Sequence, residues 1–545
     1  MAKKRLTIPS FLTESIKENG DKLSLGFAGE KPFTYNEMGN AIGSIIALLE
    51  KNGIRPGDKV AILSSNMPNW GVSYFAVTSM GAVVVPILPD FTVEEIANVL
   101  EHSETSGIFV SNSLISKISG FRSEKLNLII TTDDFVVKEG KEGVSYDPFA
   151  TPEMNYDVKE DDIAAIIYTS GTTGKSKGVM LTHKNLCFMV EGSWKIQNIF
   201  PGDVFLSILP LSHTYEQSLG LLLGTFNGAT TYYLRKAPTP SVLLPALQEI
   251  RPTIMLTVPL IMEKIYFGKI VPTFRKNKII SLLYRVTSVR KIFNRAAGKK
   301  LYKTFGGRLK FFGIGGAKVN PAVEKFLIEA RFPYAIGYGL TETAPLLAGT
   351  VVGKTSLGST GPAMPGVTLK INGVNPATGE GEIWAKGENL MKGYFKEPKM
   401  TAEVITPDGW FRTGDLGVIT SDGYLHIKGR LKNMIVGSSG ENIYPEEIES
   451  VINDLPPVIE SLVVQKKGKL VAMVHLNVDE LEEKYNQLKK EYSEKAEEMI
   501  EEYLEEIRHY VNSKVNKFSQ IQMVIYQPVP FQKTATLKIK RFLYC

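Results

Sequence analysis

Short apolar runs rich in valine and isoleucine recur along the first part of the chain: Lys59–Leu63, Ala82–Leu88 and Gly107–Ser111. Runs of this length between polar punctuation predict buried strands. Between the last two lies FTVEEIANVLEHSE, in which Thr92 and Glu95 stand at capping-box spacing ahead of a helical apolar face. Strands alternating with helices imply right-handed βαβ units in a parallel sheet with helices on both faces. The same pattern continues through the middle of the chain, so the expected class is α/β. The longest uncharged stretch, between Glu216 and Arg235, holds Gly220, Gly224 and Asn227 and predicts a buried helix, a turn and a strand rather than a membrane span.

From about Gly361 the texture changes. GPAMPGVTLKING, GEIWAKG and DGYLHIKGR are short strand-like pieces between glycine and proline turns, which predicts a small antiparallel β subdomain over about 355–430. After Arg430 an α/β pattern resumes, with ENIYPEEIESVIND as a helix start and LVVQKKGKLVAMVHL as a hairpin-like pair. The boundary falls near Arg430–Lys432. The expected organisation is a large N-terminal domain, 1–430, of stacked α/β sheets with the β subdomain at its end, then a small α+β domain, 431–545. No internal repeat is apparent.

At 545 residues, 43% apolar and 22% charged, the chain is a globular one that needs more than one core. Its two cysteines, Cys187 and Cys545, form neither a disulfide framework nor a zinc spacing. MAKKRLTIPSFL lacks the apolar run of a signal peptide, so the cytoplasm is the expected compartment. The net charge is +6, and its distribution is more informative. From Phe267 to Phe305 lysines and arginines interleave with Leu, Ile, Val, Phe and Tyr, with no Asp or Glu, as on a basic amphipathic helix pair. A plain solvated surface and peripheral contact with anionic lipid both fit that segment. Nucleic acid is not expected, because the interleaved residues are mainly aliphatic. The mostly acidic run Asp479–Glu506 reads as a solvated helix.

The strand-like AAIIY leads into YTSGTTGKSKGV (168–179), which ends like a Walker A loop but has Thr169 where that pattern needs glycine. Gly171, Gly174 and Gly178 allow a tight anion nest. Thr169, Ser170, Thr172 and Thr173 add hydroxyl donors, Lys175 and Lys177 add charge, and Thr182 is placed to cap the next helix. The loop is suited to phosphate without being a Walker A.

YTSGTTGKSKGVMLTH resembles the phosphate loop of the adenylate-forming enzymes, the superfamily of acyl-CoA synthetases, firefly luciferase and peptide-synthetase adenylation domains. GIGGAKV (313–319), YGLTETAP (338–345), GWFRTGDLG (409–417), IKGRLKNMIV (427–436), ENIYPEEIE (441–449) and KTATLKIKR (533–541) follow in that family's order, so the resemblance spans essentially the whole chain. It implies a loop of Thr169, Ser170, Gly171, Thr172, Thr173, Gly174 and Lys177 holding the β- and γ-phosphates of an ATP that is cleaved at its α-phosphate. It further implies Mg²⁺ on Glu342 and Thr169, Thr341 at the α-phosphate, and adenine against Tyr338 and Gly339 with Gly315, Gly316 and Ala317 nearby. Asp415 would accept from the ribose hydroxyls with Arg430 beside it. Lys432 matches the hinge about which the small C-terminal domain turns between half-reactions, and Gly437, Ser438, Ser439 and Gly440 would then meet coenzyme A. Lys538 matches the adenylation lysine, with Lys533 and Lys540 as rivals, although Leu537 stands where the family usually has glycine.

LPLSHTYEQSLG (209–220) is closest to the form in long-chain fatty acyl-CoA synthetases, and the resemblance puts His213 beside the acyl-adenylate. TVPLIMEKIY (257–266) and the basic segment after it look like the same subgroup. The expected activity is a long-chain fatty acid–CoA ligase using fatty acid, ATP, Mg²⁺ and coenzyme A. A fatty acyl-AMP ligase, an aryl or succinylbenzoate-type CoA ligase, and a non-catalytic lipid-binding protein on this fold stay open as alternatives, as does a homodimer. No trailing carrier-protein domain is expected, which counts against a peptide-synthetase module.

Overall fold

A computed structural model describes residues 5–150, 156–170, 176–275, 278–436, 442–455, 457–466, 468–479, 481, 496–534 and 538–545. Two large sheets carry the first part of the chain. One runs, in spatial order, Gly393–Tyr394, Ser176–Thr182, Ile163–Ser170, Val83–Ile87, Lys59–Leu63, Gly107–Val110, Leu128–Thr131 and Val137–Glu139. Its central strands are parallel, while Ile163–Ser170 and Ser176–Thr182 form an antiparallel hairpin. The other runs Leu25–Phe27, Thr230–Tyr233, Val204–Leu206, Ile254–Thr257, Phe311–Ile314, Tyr334–Gly339 and Leu346–Gly349, parallel except for the last pair.

The local signals explain the elements. Val60–Leu63 and Val84–Ile87 are buried in their parallel ladder, which is why those runs are continuous rather than alternating. Helix Val93–Ser103 begins with the reciprocal Thr92–Glu95 capping box, and Thr182 and Asn185 cap helix His183–Ile196 in the same way. The uncharged stretch becomes a buried helical segment that opens into a π-helical turn at Glu216–Leu222, then Leu223–Phe226 and the strand Thr230–Tyr233. The basic segment forms helices Val271–Arg275, Lys278–Leu283 and Thr287–Thr304.

The chain divides into two compact units: 1–370 with 384–412 and 420–425, and 371–383 with 413–419 and 426–545. A four-stranded sheet runs Thr368–Asn372, Gly381–Lys386, Phe411–Ile419 and Leu425–Arg430. The core of the second unit packs a three-stranded sheet, the hairpin Val458–Lys466/Lys469–Leu476 plus Met523–Tyr526, against helices Pro445–Ile452 and Ala496–Asn512. Residues 480 and 482–495 of the acidic run lie outside the described residues, and the described helical part, 496–506, is not fully solvated. Tyr503, Ile507 and Val511 recur every four residues and are buried in that core. Among the described residues, Glu501, Glu502, Glu505 and Glu506 lie exposed on the remaining faces.

Candidate active site

The hairpin that bears the phosphate-loop motif is built from an apolar base. Ala164–Ile167 are buried, and the strand returns with Tyr168 opposite Gly178, Thr169 opposite Lys177 and Ser170 opposite Ser176. Gly178 is required there, since a Cβ would lie 2.8 Å from Ile166 Cγ2. The loop tip, with Gly171, Thr172, Thr173, Gly174 and Lys175, lies outside the described residues. At its foot, the Tyr168 hydroxyl is 2.8 Å from His102 Nδ1, and Lys396 Nζ donates to the His102 carbonyl at 3.0 Å. Burial, with Lys396 nearby, holds the His102 imidazole below its ordinary range.

Glu342 is brought to this hairpin by a residue that the motif reading did not include. Gly393–Tyr394 pairs with the returning strand, Tyr394 opposite Val179, and the Tyr394 hydroxyl donates to Glu342 Oε1 at 2.9 Å. The same ring lies 5.0 Å from Lys177 Nζ, a cation–π distance. The Glu342 carbonyl accepts from Met391 N at 2.9 Å. Buried Asn389 donates to the carbonyls of Thr343 and Leu346, both at 2.9 Å, which holds the turn carrying Thr341 and Glu342. Tyr394 and Asn389 show no local sequence signal. Their importance comes from segments that meet only after folding.

In the seven-stranded sheet, two adjacent parallel strands end side by side. Ile314 pairs with Ile336, which sets Gly315, Gly316 and Ala317 beside the Tyr338–Gly339 end. Gly316 and Ala317 are exposed, and Gly316 has φ of +85°, where glycine is favoured. A Cβ on Gly339 would fall 1.7 Å from the Pro345 carbonyl oxygen, so only glycine fits that approach. Ligands in open α/β sheets bind beyond the carboxyl ends of such strands. His213 is half-buried, its N–H on the Pro210 carbonyl at 3.0 Å. The Tyr215 ring closes the space under Gly313 and Gly315. Next to it, Glu216 is wholly buried and its Oε2 has no hydrogen-bond partner among the described residues; burial pushes its pKa up to about 8.

The second unit holds the other motif residues. Asp415 is 4% exposed and pairs with Arg430 Nε at 2.9 Å. Lys432 is exposed in the turn Leu431–Asn433 that follows the Arg430 strand. Gly437, Ser438, Ser439, Gly440 and Leu537 lie outside the described residues. Lys538 is exposed, and the backbone beside it is tied by Thr534 N donating to the Lys538 carbonyl at 2.8 Å and by Lys540 N donating to the Gln532 carbonyl at 2.8 Å. Both flanks are pinned. Lys533 forms an ion pair with Glu460, whereas Arg541 pairs with buried Glu449 and donates to the Val463 carbonyl at 3.2 Å. Of the three candidate lysines, Lys533 is thus committed to a structural contact.

Among the described residues no cluster of three His, Cys, Asp or Glu side chains forms a metal cage. Mg²⁺ in phosphate chemistry takes one or two carboxylates together with substrate oxygens. The Glu342 carboxylate, oriented by Tyr394, and the Thr169 hydroxyl have that donor chemistry.

Residues 12–395 match the family described as AMP-binding enzyme. The chain belongs to that family. It is 33% identical over 457 residues to the peroxisomal long chain acyl-CoA synthetase 6 of Arabidopsis thaliana, an alignment covering 77% of this chain and 65% of that protein. It is 29% identical to the long-chain-fatty-acid–CoA ligase FadD15 of Mycobacterium bovis, over 79% of this chain and 75% of the relative. Among solved structures, an ATP-bound chimera of RpMatB and BxBclM superimposes with a TM-score of 0.76 at 25% identity, covering 99% of this chain and 98% of that one. The family member therefore has the adenylate-forming α/β fold expected from its motifs.

Proposed function

We propose that this AMP-binding enzyme is an ATP-dependent long-chain fatty acid–CoA ligase. The observation that carries the reading is the grouping of Thr169, Lys177, Tyr394 and Glu342 at the phosphate hairpin, in a chain similar to long-chain acyl-CoA ligases. A fatty acid carboxylate oxygen attacks the α-phosphorus of ATP. The bond from that phosphorus to the bridging oxygen breaks, and pyrophosphate leaves with the electron pair. The coenzyme A thiol then loses its proton to solvent, its sulfur attacks the acyl carbonyl carbon, and the bond to AMP breaks to give the thioester.

The protein's task in the first step is to gather anionic groups, so donors and cations matter more than a strong base. Thr169, Ser170, Gly171, Thr172, Thr173, Gly174 and Lys177 are assigned to the phosphates and Thr341 to the α-phosphate. Glu342 and Thr169 would hold Mg²⁺, which when bound offsets phosphate charge. Tyr338, Gly339, Gly315, Gly316 and Ala317 are assigned to adenine, and His213 to the acyl end. In the second unit, Asp415 with Arg430 is assigned to the ribose and Lys538 to the charge that develops during adenylation. Lys432 is the hinge of a mobile domain 431–545, and Gly437–Gly440 serve coenzyme A. The long-chain preference rests on LPLSHTYEQSLG and on the two named ligases. No helix among the described residues is long and apolar enough to cross a membrane. We place the activity in the cytoplasm, with 267–305 touching an anionic membrane surface.

Pyrophosphate release with palmitate, measured with and without coenzyme A, tests this. Palmitate-dependent release with palmitoyl-CoA formation is expected. Release without thioester would make the protein an acyl-AMP ligase. Turnover of aryl acids alone would move it to that subgroup, and no turnover would leave a lipid-binding protein.

A further inference from the structure

The basic segment sorts its side chains by direction, and this sorting names a surface. Phe274 stacks on Tyr284, just past helix Lys278–Leu283, with ring centroids 4.8 Å apart and lies 5.8 Å from Phe293, which ties the three helices together. Helix Thr287–Thr304 lays Asn294, Gly298 and Leu301 against the protein. A Cβ on Gly298 would be 2.6 Å from Ala330 Cβ, so the contact with helix Pro321–Ala330 is close. Arg290 belongs to this inward face. It forms a bidentate pair with Glu329 (2.8 and 3.0 Å), which also accepts from Asn294 at 2.7 Å. Arg290 and Glu329 therefore neutralise each other and add nothing to the outward charge.

The outward face is apolar at one end and cationic along the rest. Ile279, Leu282 and Leu283 stand at i, i+3 and i+4 on helix Lys278–Leu283, and Val286 is the N-cap of the next helix, yet they are 69%, 65%, 42% and 50% exposed; Ile292 is 64% exposed. Arg285, Lys291, Arg295, Lys299, Lys300 and Lys303 are exposed around and beyond them. No acid occurs in the sequence from 264 to 323. Arg295 and Lys299 continue the Ile292 row at i+3 and i+7, where with Arg331 they line a cleft of about 310 Å³ floored by Tyr302, Leu309 and Phe332.

We propose that this face docks on an anionic phospholipid bilayer: Leu282, Leu283, Val286 and Ile292 enter the headgroup–acyl boundary, and the Arg295–Lys299–Arg331 cleft takes a lipid phosphate. A helix pair with exposed aliphatic residues and a one-sign cationic surround needs both an apolar and an anionic phase, and an anionic leaflet supplies the two together. A protein partner would need a run of acids bordering an apolar groove, and nucleic acid would leave the aliphatic stripe in water. The assignment deepens the ligase reading, because a long-chain acid partitions into the same leaflet, but its test does not depend on turnover.

Vesicle sedimentation is the test, with phosphatidylcholine alone and phosphatidylcholine mixed with phosphatidylglycerol. Binding should favour the anionic vesicles and weaken with salt as the Debye length falls below about 8 Å. Leu282→Ser and Ile292→Ser should each weaken it about tenfold, the loss of a half-buried aliphatic side chain. Arg295→Ala/Lys299→Ala should lower binding to anionic vesicles and flatten the salt dependence. All these variants should keep the wild-type melting profile, which shows that they fold, and wild-type turnover of palmitate delivered from cyclodextrin. If the full chain turns over no acid but binds vesicles as described, the ligase reading falls and the surface stands. Equal binding to neutral and anionic vesicles would overturn the proposal, as would unchanged binding by the serine variants. A dimer in sedimentation velocity that Leu282→Ser dissociates would assign the face to a second copy instead.

Discussion

Glu216→Gln should flatten the dependence of stability on pH. Glu216 opens the π-helical turn, is 2% exposed, and has Gly220 one turn on, where a Cβ would sit 2.5 Å from Glu216 Oε1. Burial raises its pKa from 4.5 to about 8. A carboxyl whose folded pKa is raised favours the folded state fully below its unfolded value, and that contribution is lost as pH rises through the folded value. Between about pH 5 and pH 8 the unfolded chain releases this proton and the folded chain holds it, which costs about 3–4 kcal/mol. The first unit contains about 400 residues, so its unfolding entropy is roughly 0.8 kcal/mol per kelvin and the cost corresponds to about 4 °C in its midpoint. Scanning calorimetry of both proteins across this range should show the variant gaining about 4 °C on the wild type from low to high pH. Other titrating groups are common to the two and cancel. Parallel midpoint–pH curves would refute the reasoning and mean that Glu216 is ionised in the folded protein.

Glu342→Ala should abolish pyrophosphate release at saturating Mg²⁺ with an unchanged melting profile; wild-type-like turnover would remove Glu342 from the site. Tyr394→Phe deletes one hydrogen bond to a carboxylate and should slow adenylation by about tenfold or more, read in the same release assay. Lys538→Ala should lose adenylation by on the order of 10² to 10³ yet convert supplied acyl-AMP and coenzyme A to thioester at near-normal rate. Equal damage to both steps would point to Lys540, since Lys533 is held by Glu460. Lys432→Pro should show the opposite pattern in the two half-reaction assays, because it fixes φ at the hinge.

Local chemistry was enough to determine much of this protein. The valine-rich runs became parallel strands, Thr92 and Thr182 became N-caps, and the pair read in 462–476 became a hairpin, because apolar period, capping and turn residues act over a few positions. The ordered motifs likewise led to the AMP-binding enzyme family. GWFRTGDLG was legible as a motif but not as the strand Phe411–Ile419, whose internal glycines hide its alternation. Tertiary structure alone decided which side chains meet. Tyr394 reaches Glu342 only because a two-residue strand adds to the edge of the phosphate hairpin. Arg290 turns inward because Glu329 waits on a neighbouring helix, and the acidic helix keeps Tyr503, Ile507 and Val511 from water because a three-stranded sheet covers them. Glu216 titrates abnormally because distant segments exclude solvent around it. Burial and partner choice depend on what packs from elsewhere in the chain, and no window of neighbouring residues contains that information.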